Sequence, residues 1–189
     1  MLPRLPACGE SARLFYAVVP DDAARLALAK LARDVARETA GRAARAENLQ
    51  LTLAFLGHVP AEHSAALAGI GAGAAQAAAP FLLTRDALGV FRDAGVAWAG
   101  SRMVPAGLRQ TFDALRAALR DAALPTERRG FNPHVTLAPR CRRGLSATAM
   151  PPLAGRVDSI VLMASETLPE AARYRALESW PLAGTTPLP

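Results

Sequence analysis

A seven-residue pattern written twice constrains this chain most. Asn48-Leu49-Gln50-Leu51-Thr52-Leu53-Ala54 and Asn132-Pro133-His134-Val135-Thr136-Leu137-Ala138 share Asn, Thr, Leu and Ala in register. Each copy alternates polar and apolar residues, the period of a half-buried β-strand. Gln50 and Thr52 therefore share one strand face, and His134 and Thr136 share another, while the intervening apolar residues turn to a core. An ordinary surface strand alternates in the same way, and Leu and Ala are common in this chain, so only the Asn and Thr matches add information. Two strands that each present a hydrogen-bonding side chain and a Thr suggest the two walls of a cleft for a polar ligand.

The rest of the chain reads as α+β. Leu14 to Val19 is an apolar strand, and Pro20-Asp21-Asp22 opens an Arg/Ala/Leu-rich helix to about Thr39. The first motif strand follows over 49–56, and Gly57-His58-Val59-Pro60 is expected to turn. An Ala-rich helix spans 61–78. Its Gly69, Gly71 and Gly73 lower helix propensity, and no strand leads tightly into them, which argues against a dinucleotide-binding loop. Residues 81–90 and 95–100 read as strands around an Arg92-Asp93-Ala94-Gly95 turn. A second long helix over 104–123 carries Leu108, Phe112, Leu115 and Leu119 on one face. After the second motif strand, 140–152 is expected to be a basic Gly/Pro-containing loop, and strands near 156–164 and 173–180 close the sheets. Each motif strand is preceded by a helix, as two strand-helix-strand halves would be.

Composition narrows the class. At 189 residues the chain can bury roughly 70% of its unfolded surface, enough for one bilobal unit over 12–182 between unpacked tails at 1–11 and 183–189. Cys8 and Cys141 are too few for a disulfide framework or a metal knuckle. No apolar run reaches membrane-spanning length. Leu5-Pro6-Ala7-Cys8-Gly9 has the outline of a lipoprotein cleavage site but follows no apolar segment, so the cytoplasm is the expected location. The net charge of +6 suits a polyanionic partner, although Lys30 is the only lysine in an Ala- and Arg-rich chain, a bias that genome composition also produces. The local cluster of Arg128, Arg129, Arg140, Arg142 and Arg143 around the second motif is more informative, because guanidinium groups grip phosphate bidentately.

Residues 48–57 (Asn-Leu-Gln-Leu-Thr-Leu-Ala-Phe-Leu-Gly) and 131–139 (Phe-Asn-Pro-His-Val-Thr-Leu-Ala-Pro) resemble the paired His-x-Thr motifs of the two-histidine phosphoesterases. The closer likeness is to the RNA 2′,3′-cyclic phosphodiesterases, historically called 2′-5′ RNA ligases. It extends through Arg13-Leu14-Phe15-Tyr16-Ala17-Val18, the strand with Trp98, and the closing Ser165-x-x-Leu168 and Tyr174-x-x-Leu177, covering roughly residues 12–182 in the family's order. The resemblance implies a bilobal α+β fold with two mainly antiparallel sheets, flanked by helices and related by a pseudo-twofold duplication around a central cleft. It also implies hydrolysis without metal or cofactor by a monomer acting on RNA with 2′,3′-cyclic phosphate ends or on small cyclic nucleotides, with 2′-5′ joining as a related reaction. Thr52 and Thr136 would hold the cyclic phosphate, with Arg129 and Arg140 as further phosphate contacts. His134 would exchange a proton.

One position departs from the family. The first motif begins with Gln50 where members carry His. An amide hydrogen-bonds but has no proton to exchange near neutral pH. His58 and His63 do not replace it: His58 shares its parity but lies up to about 26 Å along a strand, and His63 falls in the first turn of a helix. Two functions of different class stay open, a weakened cyclic phosphodiesterase and a non-catalytic binder of cyclic-phosphate ends or small phosphorylated nucleotides.

Overall fold

The computed structural model describes residues 11–126, 130–146, 148–167 and 172–183. Most of the tails, together with Arg128 and Arg129, lie outside them. The first strand, β1 (Ser11–Val18), leads into α1 (Asp22–Thr39), and β2 (Leu51–Pro60) carries the first motif. Next come α2 (Ser64–Ala75), β3 (Phe81–Phe91), β4 (Val96–Gly100) and α3 (Ala106–Asp121). The second motif is β5 (His134–Ala138), followed by β6 (Ala149–Val157), β7 (Ser159–Thr167) and β8 (Ala172–Pro181).

All registered strand pairs are antiparallel, in the order β6-β3-β4-β5-β2-β1-β7-β8. Each motif strand is thus the innermost strand of a four-stranded half, as the duplication predicts. The halves are hydrogen-bonded into one sheet, but only through the pair Leu51↔Val135. Leu14, Tyr16, Val18, Leu51, Leu53, Val135 and Leu137 join α-helical residues such as Leu28, Leu67 and Leu115 in the main core, so the helices cover that sheet face. Phe15 and Ala17, the alternate positions of β1, belong to a smaller cluster with Val161 and Met163. The period-two reading therefore separates two real faces.

Local chemistry explains the helix starts and faces. Asp21 caps α1, its carboxylate accepting from Ala24 N at 2.8 Å, and it also accepts from Arg156 N on β6 at 2.7 Å. In α3, Leu108, Phe112, Leu115 and Leu119 are buried as the spacing predicts. Gly71 of α2 lies under Trp180, where an added Cβ would sit 2.3 Å from the indole. A 3-10 turn over Ala61–His63 precedes α2, which is shorter than the 61–78 span read from composition.

Two expectations are corrected. Residues 57–60 do not turn; β2 runs through them, pairing His58 with Arg13. Gly57, at φ 73°, sits where the β1–β2 register shifts, so the glycine marks a bulge inside a strand rather than its end. Residues 149–152 are strand rather than loop, because β6 is an edge strand and an edge tolerates Pro151 and Pro152. The reversal to β7 falls at Asp158.

Arg85 is 1% exposed on β3, and burial pushes its pKa down to about 10, with Asp21 opposing that shift. The backbone hydrogen bonds from Ala24 and then Arg156 hold the Asp21 carboxyl below its ordinary value, with Arg85 acting in the same direction. A depressed folded-state pKa stabilises the fold fully above the unfolded value of about 3.9 and loses that contribution as pH falls through the folded value. Asp21→Ala is accordingly expected to cost about 1–2 kcal/mol at pH 7, with a smaller difference from wild type at about pH 2. Urea unfolding at both pH values checks this; an equal loss at both would remove the ionised carboxylate from the explanation.

Candidate active site

The single bridge between the motif strands sets the site. Leu51 and Val135 face each other and are buried. Continuing that antiparallel register brings Gln50 opposite Thr136 and Thr52 opposite His134, with all four side chains on the sheet face opposite to Leu51 and Val135. Beyond the bridge β2 and β5 pair no further. A cavity of about 1040 Å³ lies there, and Thr52, His134 and Thr136 all line it. The turn between β3 and β4 contributes Arg92, and α3 contributes Arg116. Phe131 forms another part of the wall and stacks on Phe112 of α3 at 3.9 Å between ring centroids, which anchors the segment entering β5.

The His134 ring is oriented from two sides. Its Nδ1 lies 2.7 Å from Asn132 O. A carbonyl oxygen only accepts, so Nδ1 carries the hydrogen of the neutral ring and Nε2 keeps the lone pair that can take a proton. Phe91 meets the imidazole edge-on at 5.0 Å and Trp98 at 6.5 Å. The Trp98 indole lies over Gly89, its cross-strand partner, where a Cβ would come within 2.2 Å of the ring. Glycine is required there for the indole to lie flat and reach the imidazole.

Gln50 lies deeper than the other three. It is 7% exposed and is not part of the cavity wall. Its Oε1 is buried without a hydrogen-bond partner, and so is Trp98 Nε1. Trp98 is the β4 partner of Thr136, and Gln50 falls opposite Thr136 on the β2 side, so an unpaired acceptor and an unpaired donor flank the same threonine. Leaving such groups unsatisfied costs about 1–3 kcal/mol each, a cost that functional sites carry and ligands relieve.

The arginines distribute differently from the residues named on sequence grounds. Arg140 follows β5 at φ 60°, is exposed, and does not line the cavity. Arg129 lies outside the described residues. Arg92 and Arg116, which do line it, carried no distinguishing sequence signal beyond Arg92's place in a turn between two strands. His58 and His63 are absent from the lining as well. Among the described residues no group of three or more His, Cys, Asp and Glu could hold a metal ion, and no helix is long and apolar enough to cross a membrane.

Known proteins resemble this chain over most of its length. The chain is 36% identical over 147 residues to the RNA 2′,3′-cyclic phosphodiesterase of Escherichia coli, covering 76% of this chain and 81% of that protein. It is 30% identical over 184 residues to the RNA 2′,3′-cyclic phosphodiesterase of Thermus thermophilus, covering 91% of each. The crystal structure of Escherichia coli LigT complexed with 3′-AMP superposes with a TM-score of 0.82 at 32% identity, over 92% of this chain and 99% of LigT. The family model of the 2′-5′ RNA ligase superfamily matches residues 14–167, and with both motif strands and the cleft between them inside that span, the chain belongs to this superfamily.

Proposed function

We propose that this protein is a metal-independent cyclic phosphodiesterase that opens the 2′,3′-cyclic phosphate at RNA ends to a 2′-phosphate, with 2′-5′ joining as the parallel reaction in which an RNA 5′-hydroxyl replaces water as nucleophile. The observation that carries this reading is the meeting of Thr52, His134 and Thr136 on one cavity at the point where the motif strands part. The family's relatives named for this activity support it.

In this reading the two threonine hydroxyls donate to the non-bridging phosphate oxygens. Water attacks phosphorus, the P–O3′ bond breaks, and the proton lost by the water is balanced by the proton gained at O3′. His134 Nε2 exchanges one of these protons, and solvent supplies the other exchange. Gln50 occupies the place of a second proton-transfer group but contributes only hydrogen bonds, which leaves the rate about 10²- to 10⁴-fold below that of a two-histidine site. The strained five-membered ring keeps turnover measurable, because positioning alone contributes strongly to such a reaction. Arg92 and Arg116 at the cavity supply positive charge toward the phosphate.

A 2′,3′-cyclic mononucleotide incubated with the protein and followed by phosphorus NMR tests the proposal. The expected product is the 2′-monoester; a 3′-monoester would contradict the assigned leaving group. Tight binding without conversion would favour the second reading, a binder of cyclic-phosphate ends, which the buried non-titrating Gln50 supports.

A further inference from the structure

We infer that a basic surface beside the cleft, built by residues 39–45 and 139–143 with the exposed side of α1, carries the 5′-flanking strand of the RNA whose cyclic end enters the cavity. This rests on the RNA-end reading of the cleft and adds a second contact area to it.

Backbone bonds join two segments distant in sequence. Arg42 N donates to Pro139 O at 2.9 Å and Ala44 N to Leu137 O at 2.8 Å, while Arg142 N and Arg143 N both donate to Thr39 O. The approach is close enough that a Cβ on Gly41 would lie 2.9 Å from Cys141 Sγ and 3.1 Å from Pro139 O. Arg42, Arg140, Arg142 and Arg143 are thereby gathered at the C-terminal end of α1. Beside them is a groove of about 720 Å³ with Ala36, Ala40, Gly41 and Ala43 in its wall and Arg33 and Arg37 along it.

The charge there is not cancelled. Arg37 pairs with Asp34, Arg45 lies near Glu47, and Glu38 is occupied by Ser146. Arg33, Arg140, Arg142 and Arg143 have no ion-pair partner among the described residues. Of the large exposed apolar residues, Leu82 and Met103 lie in other segments and Leu26 lies near the start of α1, outside the groove that begins at Arg33, so the groove offers charge without the apolar side chains that seat a membrane or a protein core. Guanidinium groups over an alanine floor suit a phosphodiester backbone read without base preference.

Residues 139–143 adjoin the rim of the cleft, with the α1 groove behind them on the helix-covered side of the sheet. Cys141 N donates to Gly95 O at 2.8 Å, which fixes residues 139–143 against the β3–β4 turn whose Arg92 lines the cavity. Thr136 and Arg140 are four positions apart, at most about 13 Å of extended chain, so an RNA strand leaving the phosphate site past the end of β5 reaches the patch within a few nucleotides.

The test compares wild type with the Arg33→Gln/Arg142→Gln/Arg143→Gln triple variant on two substrates, a 2′,3′-cyclic mononucleotide and a single-stranded RNA of about ten nucleotides with the same cyclic end. Wild type is expected to use the oligonucleotide at least tenfold better, through KM. The variant should lose that advantage while its mononucleotide hydrolysis stays at the wild-type level. Fluorescence anisotropy with the same RNA ending in a 2′-phosphate should show a salt dependence of log Kd shallower by about 2 in the variant, roughly 0.7 per lost phosphate contact. Equal use of both substrates by wild type, an unchanged salt slope, or parallel loss on both substrates in the variant would overturn the proposal. If turnover were absent but binding still showed the slope change, the cleft chemistry would be wrong and the surface right. Weakened capture of an acidic peptide with unaltered RNA binding would reassign the surface to a protein partner.

Discussion

Replacing His134 with Ala is expected to lower cyclic-phosphate hydrolysis by about 10²- to 10⁴-fold, equivalent to roughly 3–5 kcal/mol of barrier. The loss should fall almost wholly on kcat. Thr52 and Thr136 remain on the cavity wall, so affinity for a phosphate-bearing ligand should change far less than turnover. Thermal unfolding of the variant, measured alongside, separates lost chemistry from lost fold, since the contacts removed with the imidazole are its local hydrogen bond to Asn132 O and its ring-edge contacts with Phe91 and Trp98. Hydrolysis that survives the substitution would mean that the proton transfer belongs to another group and that the cavity at the strand split is not the reaction site.

Gln50→His is expected to act in the opposite direction, raising hydrolysis by one to a few decades, the usual value of one general acid or base. The position favours such a gain. It shares the strand face of Thr52 and, through the Leu51↔Val135 register, lies opposite Thr136. It also already holds a buried polar atom without a partner, so an imidazole there displaces no existing hydrogen bond of Oε1. Because the residue is 7% exposed, burial would disfavour the charged form of the introduced ring, and the gain should be larger toward high pH, where the ring serves as a base. A pH–rate profile of both proteins on a cyclic mononucleotide reads this directly. If binding persists and no rate is gained at any pH, the pocket has diverged into a binding site, and the non-catalytic reading would replace the enzymatic one.

Gln50 also shows where reading a strand from sequence stops. Alternation correctly assigns its face, yet it does not say that the residue is nearly buried and recessed from the cavity wall. That depends on β4 placing Trp98 on the other side of Thr136, a neighbour reached only through the sheet order. The arginines give the same lesson in reverse. Proximity to His134 in sequence singled out Arg140, which the chain leaves exposed at the end of its strand, whereas Arg92 and Arg116 reach the cavity from a turn and a helix. An exposed cation carries no periodic signal, because solvent imposes no spacing on it.

The sequence by itself determined the repeated motif strands, their inward and outward faces, the Asp21 start of α1 and the buried stripe of α3, because each follows from a local period or a capping side chain. It did not reveal β6, whose prolines imitate a loop until the strand is seen at an edge, or Gly57 as a bulge inside β2. Only the tertiary structure decided that the two motif strands pair at one position and then separate, and it is this parting that makes room for a ligand between Thr52 and His134. Strand pairing is non-local: it depends on the packing of helices and neighbouring strands across the whole chain, and no window of sequence contains it.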